Sequence, residues 1–458
     1  MRFTNGYAAN PVCSPTRYSL MTGKYPTRVM ATNFFSGKRS GKFNPAPLHD
    51  RMDLDEITLA EILKKKGYGT FFAGKWHLGP TKEFWPKAQG FDINMGGWAK
   101  GGPYTGKKYF SPFKNPELHP DSPEGEHLPN RLADETTKFI RQNKENPFLA
   151  YLSFYSVHTP LQGRKDLVEK YKKRAAGISG EEFGPLHDRK VRILQKHAVY
   201  AAMVEAMDEA IGKVLTALED ARVTENTMVV FTSDNGAEAS GPEDHDSFAG
   251  RRGPAALGYH TDYERLGLKG SYNTISPSFA SAAVSPLAYY KFYAGEGGMR
   301  VPLIVAGASL PVQGELSHAF SFVTDITPTV LAFAGVVAPD ARYGGRSIEP
   351  MIGRDLGPVL RQEAQRVYGP KDSVGYELAG HAVLFQGDYK IVFHRTPLSD
   401  GQWHLYNIMR DPGETEDLSS TEPARLQRML SAYERYTHDN KVLPVPPGFD
   451  NYKQLVIY

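Results

Sequence analysis

A chain of 458 residues that is 40% apolar and 23% charged can bury a large core, and a net charge of +3 with pI about 8.5 excludes the strong basic bias of a nucleic-acid or membrane-surface binder. Its single cysteine excludes an internal disulfide framework, so disulfides say nothing of the redox compartment. No apolar run reaches the roughly 20 residues of a membrane span. Met1 to Tyr7 shows no basic start followed by an apolar segment, so no signal peptide is visible, and a soluble chain could be cytoplasmic or periplasmic.

In chain order, the first informative stretch is Asn10-Pro11-Val12-Cys13-Ser14-Pro15-Thr16-Arg17, running on to Arg28. Pro15 and Thr16 can open a helix, because proline is tolerated in a first helical turn. Cys13 then lies just before a helix N-terminus, where the helix dipole and Arg17 favour negative charge. A lone cysteine is more commonly a buried structural residue. An α/β fold usually opens on a buried strand, and none is expected ahead of this motif.

Thr58 to Gly67 reads as a helix with an apolar stripe of Leu59, Ile62 and Leu63, lysines in its last turn and a terminating glycine. Tyr68 to Ala73 reads as a buried strand that runs into Gly74-Lys75-Trp76-His77-Leu78-Gly79. Ligand groups sit in such turns, at the carboxyl ends of strands in open α/β sheets. Residues 80–130 read as a long irregular excursion, and Leu132 to Gln142 as a helix. Phe148 to Phe154 is apolar throughout, which predicts a central, parallel strand delivering His158.

Residues 164–196 are charged and expected to be solvated. His197 to Leu218 carries the clearest helical periodicity, through Val199, Met203, Met207, Ile211, Val214 and Leu218. The strand Met228 to Phe231 ends in Asp234-Asn235-Gly236, which offers a carboxylate and an amide oxygen of the kind hard cations take. By itself Asp-Asn-Gly is as well read as a turn. Residues 237–285 are irregular. Glu296 to Val305 is a glycine turn feeding a strand, and a helix starts at Asp325. Strand and helix in alternation predict an α/β fold with a mostly parallel central sheet flanked by helices. Short strands around 382–385, 389–393 and 403–406 predict a small antiparallel sheet, followed by a last helix over 422–438. The chain accordingly divides into a catalytic region, 1–355, and a smaller C-terminal subdomain, 356–458.

Cys13-x-Pro15-x-Arg17 with its tail Leu20-x-Thr22-Gly23-x-Tyr25-Pro26-x-Arg28 resembles the signature of the type I sulfatases, members of the alkaline-phosphatase superfamily. Four further landmarks resemble the family in order: Gly74-Lys75-Trp76-His77-Leu78-Gly79, the histidine and proline at 158 and 160, Glu296-Gly297-Gly298-x-Arg300-Val301-Pro302, and the closing run Leu405 to Glu414. Ser285-Pro286-Leu287-Ala288-Tyr289-Tyr290-Lys291 resembles the bacterial arylsulfatase branch.

The resemblance implies an alkaline-phosphatase-like sulfatase fold and hydrolysis of a sulfate monoester. It implies that a formylglycine-generating maturation enzyme oxidises Cys13 to formylglycine. The hydrated aldehyde would attack sulfur and form a covalent sulfo-enzyme intermediate. Arg17 and Lys75 would hold the diol and sulfate oxygens, and Lys291 would clamp a sulfate oxygen. His77 would take the proton of the second hydroxyl, and His158 would protonate the leaving alcohol or phenol. Asp234 and Asn235, with the oxygen derived from Cys13, would bind calcium.

In the family a strand ending in an Asp-Asp pair completes the calcium site. No aspartate precedes Asp50 here, so the catalytic region is expected to lack that first strand and to be weakly active or inactive as it stands. Three other readings stay open: a phosphonate monoester or phosphodiester hydrolase of the same superfamily, an inactive truncated remnant, and an unrelated redox or cysteine-nucleophile protein. Substrate choice is assigned to the irregular stretches 80–130 and 237–285.

Overall fold

The computed structural model describes residues 1–35, 49–186, 189–239, 275–307, 310–311, 314–378, 380–396 and 399–445. Most of the stretch 237–285 assigned to substrate choice therefore lies outside the described residues.

In chain order the elements are β1 (Arg2–Tyr7), α1 (Cys13–Thr22), α2 (Leu59–Lys65), β2 (Gly69–Gly74), β3 (Ile93–Met95), α3 (Leu128–Asn143), β4 (Phe148–Ser153) and α4 (Lys165–Ala176). The hairpin β5 (Phe183–Leu186) and β6 (Arg189–Arg192) leads to α5 (Ala198–Asp220), β7 (Met228–Thr232), α6 (Ser276–Val284), β8 (Leu303–Gly307), β9 (Leu316–Phe322) and α7 (Ile326–Phe333). The tail adds β10 (Ser373–Leu378), β11 (His381–Gln386), β12 (Tyr389–Phe393), β13 (Trp403–Asn407) and α8 (Pro423–Asp439).

These elements fall into two compact units. One takes the described residues of Met1–Leu59, Asn226–Ala237 and Val284–Asn451; the other takes those of Ala60–Glu225 and Glu238–Ala283. This division runs along a different line from a boundary near 355.

The first unit holds a four-stranded sheet in the order β7-β8-β1-β9. β8 runs antiparallel to both β7 and β1, whereas β1 and β9 are parallel. Its C-terminal part is the antiparallel meander β10-β11-β12-β13, with α8 packed on β10 to β12. Aromatic rings join the two sheets: Tyr7 lies 5.0 Å from Phe320 and 4.7 Å from Phe385. Such pairs add to the area they bury, because ring edges meet ring faces. The second unit holds the parallel sheet β3-β2-β4, with α3 laid across β2 and β4 and against α5. Phe71 stacks on Phe139 at 4.7 Å, and Phe72 meets Trp76, Phe91 and Tyr151.

The expected α/β class, with a small C-terminal antiparallel sheet and a closing helix, is what the chain builds. Four expectations change. A mostly buried strand does precede Cys13: β1 turns Phe3, Asn5 and Tyr7 inward. Asn5 and Gly6 give it poor strand propensity, but neighbours on both sides override that. β4 is parallel but, among the described residues, lies at the edge of its sheet with its apolar side chains half-buried rather than at the centre. Residues 164–196 hold a helix, α4, because Leu167 and Val168 pack against Ala202 and Ala206 of α5 beneath an otherwise charged surface. The described end of 237–285 is helical in α6. β9, whose Ser and His residues obscure its pattern, completes the first sheet.

Among the described residues, the meander buries a carboxyl group with no ion pair at contact distance, Arg395 acting on it only from farther off. Glu377 on β10 is 4% exposed and accepts the Gly380 N–H. Burial pushes its carboxyl up to about 8. Folding therefore takes up a proton between the ordinary carboxylate range and about 8, and stability falls as pH rises through that window. Glu377→Gln keeps an acceptor and removes the titration. It is expected to raise the melting temperature relative to the parent at pH 9 and to give no such gain at pH 5, as read by thermal scans at both values.

Candidate active site

In the first unit α1 begins at Cys13 itself. Its N-cap is Val12, which supplies no side-chain acceptor. Cys13 is 3% exposed and, as the single cysteine of the chain, forms no internal disulfide. The turn ahead of it is closed by a reciprocal clip: the Thr16 hydroxyl donates to the Asn10 carbonyl at 2.9 Å and accepts the Asn10 N–H at 3.1 Å. The Asn10 side-chain amide in turn donates to the Glu377 carbonyl of β10 at 2.9 Å.

One helical turn after Cys13, Arg17 Nε donates to Asp234 Oδ2 at 2.8 Å, with both side chains largely buried. Asp234 and Asn235 follow β7 in a turn that needs its glycine. A Cβ on Gly236 would stand 1.8 Å from the Gly297 carbonyl oxygen. The bare backbone can instead approach, and the Gly236 N–H bonds the Gly298 carbonyl at 3.0 Å. The segment carrying Lys291 is laced to both turns: the Lys291 N–H reaches the Ala237 carbonyl at 3.1 Å and the Phe292 N–H reaches the Pro11 carbonyl at 3.0 Å. Tyr289 (φ 62°) and Phe292 (φ 75°) flank Lys291 in left-handed backbone. Such conformations are costly for side-chain-bearing residues and persist only where the surroundings impose them.

Behind the segment the Gly297 N–H bonds the Ala288 carbonyl at 2.7 Å, and the adjacent Glu296 is held by a buried lysine. Lys390 on β12 is fully buried between two carboxylates, with Nζ 3.1 Å from Glu296 Oε1 and in contact with Glu414 Oε1. The Tyr7 hydroxyl donates to Glu296 Oε2 at 2.7 Å. Burial works against charge on Lys390, but Glu414 and Glu296 outweigh it and hold the ammonium above its usual range. Burial pushes Glu414 up to about 7, opposed by Lys390. Removing the lysine takes the counter-charge from Glu414 and leaves Glu296 with Arg300, whose Nη1 lies 3.7 Å from Oε2, and breaking a buried pair this way costs about 3–5 kcal/mol. Lys390→Met is expected to lose that much in urea unfolding at pH 8. The loss should shrink at pH 5.5, where protonation can neutralise Glu414.

Asp234 and Asn235 fit a hard cation in kind. Asn235 Oδ1 is buried with no hydrogen-bond partner, while its amide nitrogen donates to the Gly236 carbonyl at 2.8 Å. They fall short in number, since calcium takes about 6–8 oxygens. Among the described residues no group of three or more His, Cys, Asp or Glu side chains is placed to hold a metal.

In the second unit Lys75 and His77 leave the end of β2, beside the end of β4. Gly74 takes φ +101°, and a Cβ there would stand 1.8 Å from the Ser153 carbonyl oxygen. That carbonyl accepts the Lys75 N–H at 2.8 Å. His77 is in left-handed backbone (φ 60°), with its N–H on the Trp98 carbonyl at 3.2 Å. Lys75 and His77 are 3% and 7% exposed. His158 follows β4, its N–H on the Tyr155 carbonyl at 2.9 Å and its carbonyl on the Tyr109 hydroxyl at 2.9 Å. Its ring meets Glu238 and Tyr104.

The predicted residues thus sit, as two sets, past strand ends, at the start of α1 and, for Lys291, in the irregular segment after α6. Cys13, Arg17, Asp234, Asn235 and Lys291 belong to the first unit, and Lys75, His77 and His158 to the second. Sequence reasoning missed Asn10, Tyr104, Glu238, Lys390 and Glu414. Glu414 and Glu238 lie in or beside motifs already singled out. A lysine inside the apolar run Tyr389 to Phe393 was a further signal.

Residues 1–336 match the family described as Sulfatase. The chain belongs to the sulfatase family. It is 29% identical to an uncharacterised sulfatase of Schizosaccharomyces pombe, over 98% of this chain and 89% of that one. It is 26% identical to an arylsulfatase of Klebsiella aerogenes, over 77% of this chain and 83% of that one. In fold it is similar to the crystal structure of Ps i-CgsB, with a TM-score of 0.68, 22% identity and coverage of 96% of this chain and 86% of that one. The chain is accordingly a sulfatase, an enzyme of sulfate ester hydrolysis. No described helix is long and apolar enough to cross a membrane.

Proposed function

We propose that this sulfatase cleaves a sulfate monoester in the arylsulfatase manner, with Cys13 as the source of the nucleophile. The observation that carries the reading is the position of Cys13 as the first residue of α1, with Arg17 one turn on and bonded to Asp234 at 2.8 Å. A folded chain hides Cys13, so a formylglycine-generating enzyme acts before folding is complete. As formylglycine, residue 13 supplies a hydrated aldehyde, one hydroxyl of which attacks sulfur while the other lets sulfate be expelled afterwards.

Arg17, Lys75 and Lys291 hold sulfate oxygens. Their side chains are buried and so held in place before substrate arrives, and little reorganisation is needed as negative charge shifts during transfer. His77 takes the proton of the second hydroxyl. His158 delivers a proton to the leaving oxygen. Asp234 and Asn235, with an oxygen on residue 13, would hold calcium, which supplies polarisation of the sulfate.

The test is a substrate panel. Protein co-produced with a formylglycine-generating enzyme is given an aryl sulfate, an aryl phosphodiester and an aryl phosphonate monoester, each with calcium, alongside Cys13→Ala. Turnover of the sulfate that falls at least 10³-fold in the variant is expected, as removal of a catalytic nucleophile brings losses of that order or larger. Preference for the phosphodiester or phosphonate would transfer the assignment to the other branch of the superfamily. No turnover of any ester by aldehyde-bearing protein would overturn it.

A further inference from the structure

Nε2 of the His158 ring faces a carboxylate oxygen that only accepts, while Nδ1 lies near the Thr159 carbonyl, the Thr159 hydroxyl and the Tyr104 hydroxyl. Nδ1 is 3.1 Å from the Thr159 carbonyl oxygen, and Nε2 is 3.2 Å from Glu238 Oε2. A neutral imidazole protonated on Nδ1 would aim its Nε2 lone pair at Glu238, whereas the imidazolium donates to Glu238 from Nε2 and to the Thr159 carbonyl from Nδ1. The two side chains are 15% and 9% exposed, so water screens the pair weakly. Among the described residues, titratable groups face the ring from two segments. Glu238 comes from the segment after β7, and Tyr104, whose hydroxyl lies 3.2 Å from Nδ1, comes from the segment ahead of α3. Tyr109 meets only the His158 backbone carbonyl.

We infer that Glu238 is a positioning residue that keeps His158 charged and oriented as the acid for the leaving group, an inference that rests on the proposed role of His158. The proton on Nε2 passes to the leaving oxygen as its bond to sulfur breaks. The ring is then neutral, with its remaining proton still on the Thr159 carbonyl and its Nε2 lone pair turned toward the Glu238 carboxylate. That arrangement is unfavourable, and it draws a proton back from solvent and resets the acid.

Glu238→Gln keeps the shape and removes the charge, and Glu238→Asp keeps the charge. A carboxylate at this distance raises a histidine by about one pH unit or more. In the Gln variant the alkaline limb of kcat is expected to move down by about one pH unit or more. At pH 7.5 kcat should fall about tenfold for an alkyl sulfate with a poor leaving group and far less for 4-nitrophenyl sulfate. The Asp variant should stay near the parent profile. Imidazole NMR of His158 reads the same shift without turnover. An unchanged His158 titration and pH limb in folded Glu238→Gln would overturn the inference. The separate variant His158→Ala tests the reading beneath it: if alkyl and nitrophenyl sulfates lose equally there, His158 is not the acid, and the assignment fails for that reason and not through Glu238.

Discussion

Much of the first unit hangs on one buried ammonium. Lys390 sits out of water between Glu296 and Glu414, and Tyr7 holds the far oxygen of Glu296. Those four residues come from the C-terminal meander, the turn before β8, the closing motif after β13 and the first strand. A charge cluster of this kind is stable only when every member is present, because each ion has lost its hydration. It therefore fixes the relative positions of the segments that carry its members. The segment of Lys291, threaded through two left-handed residues, is held by backbone bonds to Pro11 and Ala237 and, at Ala288, by the Gly297 N–H next to Glu296. The C-terminal meander is thus part of what shapes the Cys13 turn, which it also reaches through Asn10 and the Glu377 carbonyl.

The same economy governs the strand ends. Gly74 and Gly236 let backbone approach backbone where a methyl group would collide. In each case the following or preceding polar residues are left with buried, pre-set side chains. Arg17, Lys75 and Lys291 are all at most 8% exposed, so the charges meant for an anion are desolvated before it binds. The energy for this comes from packing elsewhere, in the aromatic contacts of Tyr7, Phe320 and Phe385 and in the layer of α3 on β2.

Much of this was legible in the sequence. The helices at 59–65, 128–143, 198–220 and 423–439 carry apolar stripes or end signals, and the strands at 69–74, 148–153 and 228–232 are short apolar runs bounded by turn residues. The site residues were legible because they lie in motifs, several of them placed just past a strand. What stayed hidden depends on partners distant in sequence. β1 and β9 are poor strands alone; they pair with each other, and β1 also pairs with β8. α4 is charged on most of its surface and is a helix because Leu167 finds Ala202 and Ala206. Lys390 reads as a surface lysine on an edge until Glu296, 94 residues away, is placed against it. The Glu238 contact with His158 is likewise a matter of folding, with nothing in the local sequence to announce it.

The central claim is that Cys13 is the precursor of the nucleophile of a sulfate ester hydrolase. The most direct measurement is the mass of the peptide containing Cys13, taken from a preparation shown to turn over an aryl sulfate. The account predicts that residue 13 carries an aldehyde or its hydrate in proportion to activity. An active preparation in which that residue is an intact cysteine thiol would contradict it.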